Sequence, residues 1–161
     1  MPCLAILRPP WREAAGDRWI RVPDMRAAAR ALGAAPRRVF LTIGRKDLAP
    51  FRATPHCYVV RSVDPPPPGD LPGGAAVIAA RGPFEVEDEA RLLEEHRIDA
   101  LVTKNSGGTA TAAKLAAARG RGIPVVMVDR PAAPGPAVQT VDEAWDWLTQ
   151  RHAGTAALRG V

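Results

Sequence analysis

The sequence is poor in the residues that mark metal, disulfide and membrane functions. Its two cysteines, Cys3 and Cys57, lie far apart and match neither a zinc nor a redox spacing. We therefore expect a cytoplasmic protein with incidental reduced thiols and no metal site. The longest apolar runs have the length of a strand, and no basic start leads into an apolar stretch. We expect neither a signal peptide nor a membrane-spanning helix.

Lysine is also scarce, although the chain is basic. Only three lysines occur in the 161 residues, and the net charge is +5. Such a charge attracts anions at long range, but no lysine-rich run and no basic stripe with interleaved aromatics marks a nucleic-acid surface. The predicted partner is a small polyanion, with no role for nucleic acid or membrane.

Segments with the patterns of strands and helices alternate from Val39 onward. Strands are predicted at 19–22, 39–43, 57–63, 75–80, 98–104 and 123–129. Helices are predicted after Asp24, near 46–51, at 85–97, from Thr109 to about 119, and at 140–151. Strands separated by helices require crossovers and a parallel sheet. We predict an α/β fold with a Rossmann-like open parallel sheet flanked by helices.

The domain prediction has three parts. Residues 1–23 are expected to be an interdomain linker remnant with a short strand, because early prolines limit regular structure. Residues 24–151 are expected to form the Rossmann-like domain, with Trp145 in its core, and 152–161 a flexible tail. The acidic residues of the helix at 85–97, including Glu89, are expected to form a solvent-exposed face.

A cation lies at the carboxyl end of each strand predicted from Val39 onward. These cations are Arg45, Arg61, Arg81, Lys104 and Arg130. Open parallel α/β sheets bind ligands in the crevice beyond the carboxyl ends of their strands. An arginine-rich chain would place some arginines there in any case, but two of the three lysines, Lys46 and Lys104, also fall in these loops. We predict a site for a ligand with several negative charges.

The segment from Lys104 to Thr109 joins a predicted buried strand to a helix. Free backbone N–H groups and the helix dipole favour an anion at such a junction. Gly107 and Gly108 permit close approach of the backbone, and Ser106 and Thr109 add hydroxyl donors. The predicted ligand group is a phosphate or a carboxylate. The alternative is an ordinary turn in which Thr109 only caps the helix.

The loop Gly44-Arg45-Lys46-Asp47 offers a second arrangement of this kind. If the strand order reverses beside the strand at 39–43, this loop and the one after 98–104 flank the switch point. The alternative is that Asp47 caps a short helix and Arg45 is solvated. Arg61 stands where dinucleotide folds often have an acidic residue, and an arginine there suits a 2′-phosphate and thus NADP. The chain has no G-x-G-x-x-G fingerprint.

Four ordered segments resemble the precorrin-6A reductase family of cobalamin biosynthesis. They are LTIGRKDLAPF at 41–51, RGPF at 81–84, LVTKNSGG at 101–108 and GIPVVMVDRP at 122–131. The segments RPPW at 8–11 and DRW at 17–19 resemble the piece that joins the two Rossmann-like halves of the family. The resemblance covers almost the whole chain.

The resemblance implies NADPH-dependent reduction of one double bond in a tetrapyrrole precursor that carries many carboxylates. For the cofactor, we assign by resemblance and strand-end position Gly44, Arg45, Lys46, Arg61, Ser106, Gly107 and Gly108. For the substrate, we assign in the same way Arg81, Asn105, Thr109 and Arg130. Lys104 is the candidate catalytic residue, for orienting or protonating the substrate.

Members of this family begin with a further strand, a glycine-rich turn and additional α/β units, whereas the chain starts at the joining segment. A misassigned start, a gene fragment, or a separate partner chain that supplies the amino-terminal half would each explain this difference. The alternative to a reductase is therefore a noncatalytic half-domain that binds a tetrapyrrole or nucleotide and needs a partner chain.

Overall fold

The structure is a computed structural model that describes residues 3–156, with only the backbone described for 152–156. The chain divides into two compact units. The larger unit is Trp11–Arg130, and the smaller consists of Met1–Pro10 together with Pro131–Val161.

Six parallel strands form the sheet of the larger unit. In chain order the strands of the described residues are β1 (Ala5–Ile6), β2 (Trp19–Val22), β3 (Arg38–Thr42), β4 (Cys57–Ser62), β5 (Ala76–Ala79), β6 (Ala100–Lys104), β7 (Val125–Val128) and β8 (Ala137–Val138). The sheet has the order β2-β7-β6-β3-β4-β5. This arrangement confirms the predicted α/β fold with a parallel sheet.

The helices lie close to their predicted positions, with one shifted start. They are α1 (Met25–Ala31), α2 (Val86–Glu95), α3 (Ala113–Gly120) and α4 (Val141–Ala156), and short 3-10 turns occur at Arg45–Asp47, Ala49–Phe51 and Pro68–Asp70. Asp24 caps α1 as predicted, accepting a 2.7 Å hydrogen bond from the N–H of Ala27. The prediction that Thr109 opens α3 is wrong, because Gly107 and Gly108 have positive φ and the helix begins only at Ala113.

Alternation along the strands places side chains on both faces of the sheet. In β3, Val39 and Leu41 pack on one face with residues of α1, whereas Phe40 packs on the other with Leu93 of α2 and Leu115 of α3. All three β3 side chains are fully buried. Burial on both faces explains why the strands read as continuous apolar runs.

The smaller unit contains a two-stranded parallel sheet, β1 with β8, and α4. The prediction that Trp145 lies in the core is wrong, because its side chain is 67% exposed. The helix turns Ala144 inward instead, so the apolar stripe read from helical spacing faces outward. Of the predicted tail 152–161, residues 152–156 continue α4, and 157–161 lie outside the described residues. No helix in the described part is both long and apolar enough to cross a membrane.

Candidate functional site

The strand order reverses beside β3, which lies between β4 and β6. The loops that follow β3 and β6 therefore flank this switch point, where open α/β sheets bind ligands. The Nζ of Lys104 lies 2.7 Å from Oδ2 of Asp47, which joins the two loops directly. Asp47 thus binds Lys104 and makes no side-chain capping bond in its 3-10 turn. The structure brings the two predicted loops together.

The loop after β6 offers backbone donors at the start of α3. Gly107 and Gly108 have φ of 67° and 80°, and within the described residues the N–H groups of 107–111 donate no hydrogen bond. Thr109 does not cap the helix; its carbonyl accepts from the N–H of Ala112. Ser106 and Thr109 are exposed. Unused N–H groups beside a helix N-terminus are suited to an anion.

Two predicted substrate residues brace this loop. The Asn105 amide forms two hydrogen bonds to the Trp11 backbone: Oδ1 accepts from N–H at 2.8 Å and Nδ2 donates to the carbonyl at 3.0 Å. The indole N–H of Trp11 donates to the carbonyl of Gly108 at 2.6 Å. Arg130 donates to the carbonyl of Ser106 at 2.9 Å. Contacts of Asn105 and Arg130 with a substrate stay predictions.

A cavity of about 580 Å³ opens at the carboxyl ends of β3, β4 and β5. Its charged lining residues are Arg45, Arg61, Asp64 and Lys114. Gly44, Gly82 and Phe84 also line it, so the predicted loop after β3 and the RGPF segment share this cavity. Arg45 is paired with Asp70, which lies in the 3-10 turn Pro68–Asp70, and its side chain is 61% exposed. Lys46 and Arg45 line a smaller neighbouring cavity.

Arg61 is buried at the wall of this cavity, with 7% of its surface exposed. The two terminal nitrogens of its guanidinium, Nη1 and Nη2, donate to the carboxylate of Glu89, the second at 2.9 Å. The central carbon of the group lies 3.8 Å from the centre of the Phe84 ring. The prediction that Glu89 belongs to a solvent-exposed face is wrong, because Glu89 is only 2% exposed. The predicted contact of Arg61 with a 2′-phosphate stays a prediction, while its charge here is neutralised by Glu89.

Lys114 of α3 also lines the cavity, and sequence reasoning missed it. It is 4% exposed, and its pKa is lowered to about 8, mainly by desolvation and next by repulsion from Arg61, with Glu89 acting in the opposite direction. Its Nζ lies 5.2 Å from the centre of the Trp11 ring. A signal was present in the sequence, because helical spacing puts Lys114 on the same face as the buried Ala117 and Ala118.

Arg81 lies outside the set of residues brought together here. It is exposed in the loop after β5 and does not line the cavity, although Ala80 and Gly82 on either side do. Among residues 3–156, no group of three or more His, Cys, Asp and Glu side chains is arranged to hold a metal ion.

Comparison with known proteins places the chain in a family. Residues 1–149 match the family model described as Precorrin-6x reductase CbiJ/CobK. The chain is 48% identical over 152 residues to the precorrin-6A reductase of Rhodobacter capsulatus, covering 92% of this chain and 60% of the relative. It is 50% identical over 144 residues to the precorrin-6A reductase of a Sinorhizobium species, covering 88% of this chain and 55% of the relative.

A solved structure named CobK precorrin-6A reductase agrees with these matches. It superposes with a TM-score of 0.82 at 47% identity, covering 91% of this chain and 59% of that protein. The chain thus spans about three fifths of the length of these relatives. On the match over 1–149 and the identity to these relatives, the chain belongs to the precorrin-6x reductase family.

Proposed function

We propose that the chain acts in precorrin-6A reduction, the NADPH-dependent reduction of one double bond of a corrinoid precursor during cobalamin biosynthesis. The observation that carries this proposal is the identity of 48% to a relative named precorrin-6A reductase across 92% of the chain. The switch-point loops and the cavity beside them supply the cationic edge that a ligand with several carboxylates requires.

The residues at this edge fit a phosphate-bearing cofactor. The donors of 107–111 are unused within the described residues, and Gly44 leaves room, since an added Cβ there would meet only Asp47, at 3.8 Å. We assign cofactor binding to Gly44, Arg45, Lys46, Ser106, Gly107 and Gly108, with Arg61 as a buried residue that supports the cavity wall. NADPH, when bound, supplies the hydride. The protein positions the reactants and balances their charge.

The substrate is proposed to be a polycarboxylate tetrapyrrole. Arg81 and Thr109 are exposed near the sheet edge, whereas Asn105 and Arg130 hold the loop that carries Lys104. Lys104 is proposed to orient or protonate the macrocycle, because its side chain is 54% exposed at the junction of the two loops. The exposed thiols of Cys3 and Cys57 fit the reducing cytoplasm that we propose as its location.

The test is oxidation of NADPH by the purified chain with the precorrin-6A macrocycle, followed by the absorbance of the reduced nicotinamide. Oxidation that requires both the chain and the macrocycle is the expected result for a reductase. Binding of the macrocycle without oxidation would favour the noncatalytic alternative, a half-domain that needs a partner.

A second arm tests the partner chain. The part of the Rhodobacter capsulatus relative that lies outside the match is added as a separate polypeptide. Oxidation that begins or accelerates when this polypeptide is added would support a partner that supplies a second wall of the cleft, because hydride transfer needs donor and acceptor held in near-attack geometry. Oxidation at the same rate with and without this polypeptide would contradict that part of the proposal.

A further inference from the structure

The cations that line the cavity differ in whether they have a carboxylate partner. Arg45 is paired with Asp70 and Arg61 with Glu89. Lys114 forms no ion pair and no hydrogen bond with the described residues, although it is 4% exposed. An ammonium has three N–H donors, and burial reduces its hydration while no described side chain or carbonyl replaces the lost water. Among the described residues, Lys114 is therefore a buried cation of this cavity without a carboxylate partner of its own.

The surroundings of Lys114 hold the amine in place without supplying an acceptor. The Trp11 ring lies 5.2 Å from Nζ, and Trp11 is fixed by Asn105 and by the carbonyl of Gly108. This aromatic contact is favourable to a cation but leaves the ammonium hydrogens free. The loop after β6, which is proposed to bind ligand, thus also fixes the position of the Trp11 ring beside Lys114.

We propose that Lys114 forms an oxyanion subsite in this cavity, where its ammonium binds one carboxylate or phosphate group of the ligand. Such a guest supplies both the missing counter-charge and the missing hydrogen-bond acceptors. The subsite is distinct from the Lys104 loop. It deepens the proposed function, on which it rests for the identity of the guest, either a macrocycle carboxylate or a cofactor phosphate.

The subsite makes ligand binding depend on pH in a defined range. The pKa of Lys114 is about 8, and an anion binds only its protonated form, so affinity falls as pH rises above that value. The other charged groups that face the cavity or the lysine are Arg45, Arg61, Asp64 and Glu89. The pH dependence is assigned to Lys114, because its pKa lies within this range.

The experiment titrates the full chain with two separate probes, a tetrapyrrole polycarboxylate and NADP⁺, over a pH range that spans 8. The wild-type affinity for the probe that occupies the subsite should fall about tenfold per pH unit above the pKa. Lys114→Met should weaken that binding at neutral pH by about 10- to 100-fold and remove the pH dependence. Arg26→Met, which removes an exposed cation of α1 outside the cavity lining, is the matched control and should keep both the affinity and the pH dependence.

The two probes show whether the bound anion is a macrocycle carboxylate or a cofactor phosphate. The probe whose affinity changes in Lys114→Met is the one that occupies the subsite. Lys114→Arg keeps the charge and should bind without the fall near pH 8. If Lys114→Met binds both probes with wild-type affinity and pH profile, the inference is overturned while the proposed function stands. If neither probe binds the wild-type chain, the subsite is overturned, and the oxidation assay with the added polypeptide decides the proposed function separately.

A measurement on the wild-type protein covers the case in which the Lys114 variants do not fold. Binding should raise the pKa of Lys114, so near pH 8 the complex takes up about half a proton. Carboxylates and phosphates of the probes are already ionised at that pH and contribute little. Calorimetry in two buffers of different ionisation enthalpy reports this uptake. Binding with no proton uptake would overturn the subsite.

Discussion

The guanidinium of Arg61 and the carboxylate of Glu89 form a two-point ion pair that joins the end of β4 to α2. The two side chains are only 6% and 3% exposed. The ring of Phe84 lies over the guanidinium, and 3.8 Å separate the ring centre from the central carbon of the guanidinium. Because each charge is taken out of water, each depends on the other for its solvation, and the cavity wall depends on both.

Replacement of Glu89 by Gln should therefore destabilise the protein strongly. The variant keeps the volume of the side chain but leaves the buried Arg61 charge without a counter-ion, which costs about 3 kcal/mol or more. The free energy of unfolding, measured by urea denaturation monitored with circular dichroism, gives the effect.

Asp88 provides the matched control on the same helix. Its side chain is 65% exposed and pairs with Arg91 at 3.3 Å. Asp88→Asn should change the free energy of unfolding by less than about 0.5 kcal/mol, because exposed pairs of this type contribute little. Equal losses in the two variants would show that Glu89 acts only as another surface acid and would contradict the buried-pair assignment.

Lys114 should make stability depend on pH in the alkaline range. Its pKa is lowered from 10.5 to about 8, chiefly by desolvation. Between these values the unfolded chain binds more protons than the folded chain, so the free energy of unfolding rises with pH. The destabilisation caused by the buried charge is thus fully present below pH 8 and is lost by pH 10.5. The resulting gain in the free energy of unfolding is at most about 3 kcal/mol.

Comparison with Lys114→Met isolates this effect from other groups that titrate there, including Tyr58, whose pKa is raised by burial. At neutral pH the variant should be more stable than the wild type, because it removes a desolvated charge. The difference should shrink as pH rises through 8. A difference that stays constant across this range would show that Lys114 keeps an ordinary pKa in the folded protein.

Gly82 is required by the space around it. A Cβ at this position would lie 3.0 Å from the carbonyl oxygen of Ala110 and 3.2 Å from the Phe84 ring. Gly82→Ala should therefore destabilise by about 1–3 kcal/mol and disturb the cavity wall. Gly73→Ala is the control, because nothing lies within 4 Å of its Cβ and its φ is not positive. The two variants are compared by thermal unfolding followed by circular dichroism. A Gly82→Ala variant as stable as the Gly73→Ala variant would contradict the close packing.

The parallel sheet could be predicted because its strands carry their own signal. Val39, Phe40 and Leu41 form a run with no polar face, which is typical of a strand covered on both sides. The meeting of the loops after β3 and β6 was predicted only on the condition that the strand order reverses beside β3. Local patterns indicate the strands but not their order in the sheet.

The pairing of charges could not be predicted in the same way. Arg61 and Glu89 are 28 residues apart, and only the packing of α2 against the sheet selects Glu89 among the neighbouring acids. Burial of Lys114 had a helical-spacing signal, but an alanine-rich segment gives little contrast between its faces. The outward position of Trp145 depends on how α4 packs, which spacing alone does not fix.

Lys104 and Arg45 should act on ligand binding rather than on folding. Lys104 is 54% exposed and Arg45 61%, and their pairs with Asp47 and Asp70 lie at the sheet edge. Exposed pairs contribute about 1 kcal/mol or less, so Lys104→Ala and Arg45→Ala should leave the melting temperature nearly unchanged. Contact with a carboxylate or phosphate is desolvated and contributes more, so affinity for a tetrapyrrole carboxylate or NADP⁺ should fall at least tenfold.

Salt provides an independent measure of the same site. Screening shortens the reach of exposed charges to about 8 Å at physiological ionic strength, so wild-type binding should weaken as salt rises. The Lys104→Ala variant should show a shallower dependence, because one of the responsible charges is gone. Absorbance titrations of the tetrapyrrole at low and high salt give both slopes. Binding that does not depend on salt would indicate a mainly apolar pocket. A Lys104→Ala variant that binds normally but loses as much stability as a core truncation would show that the ion pair with Asp47 stabilises the fold instead.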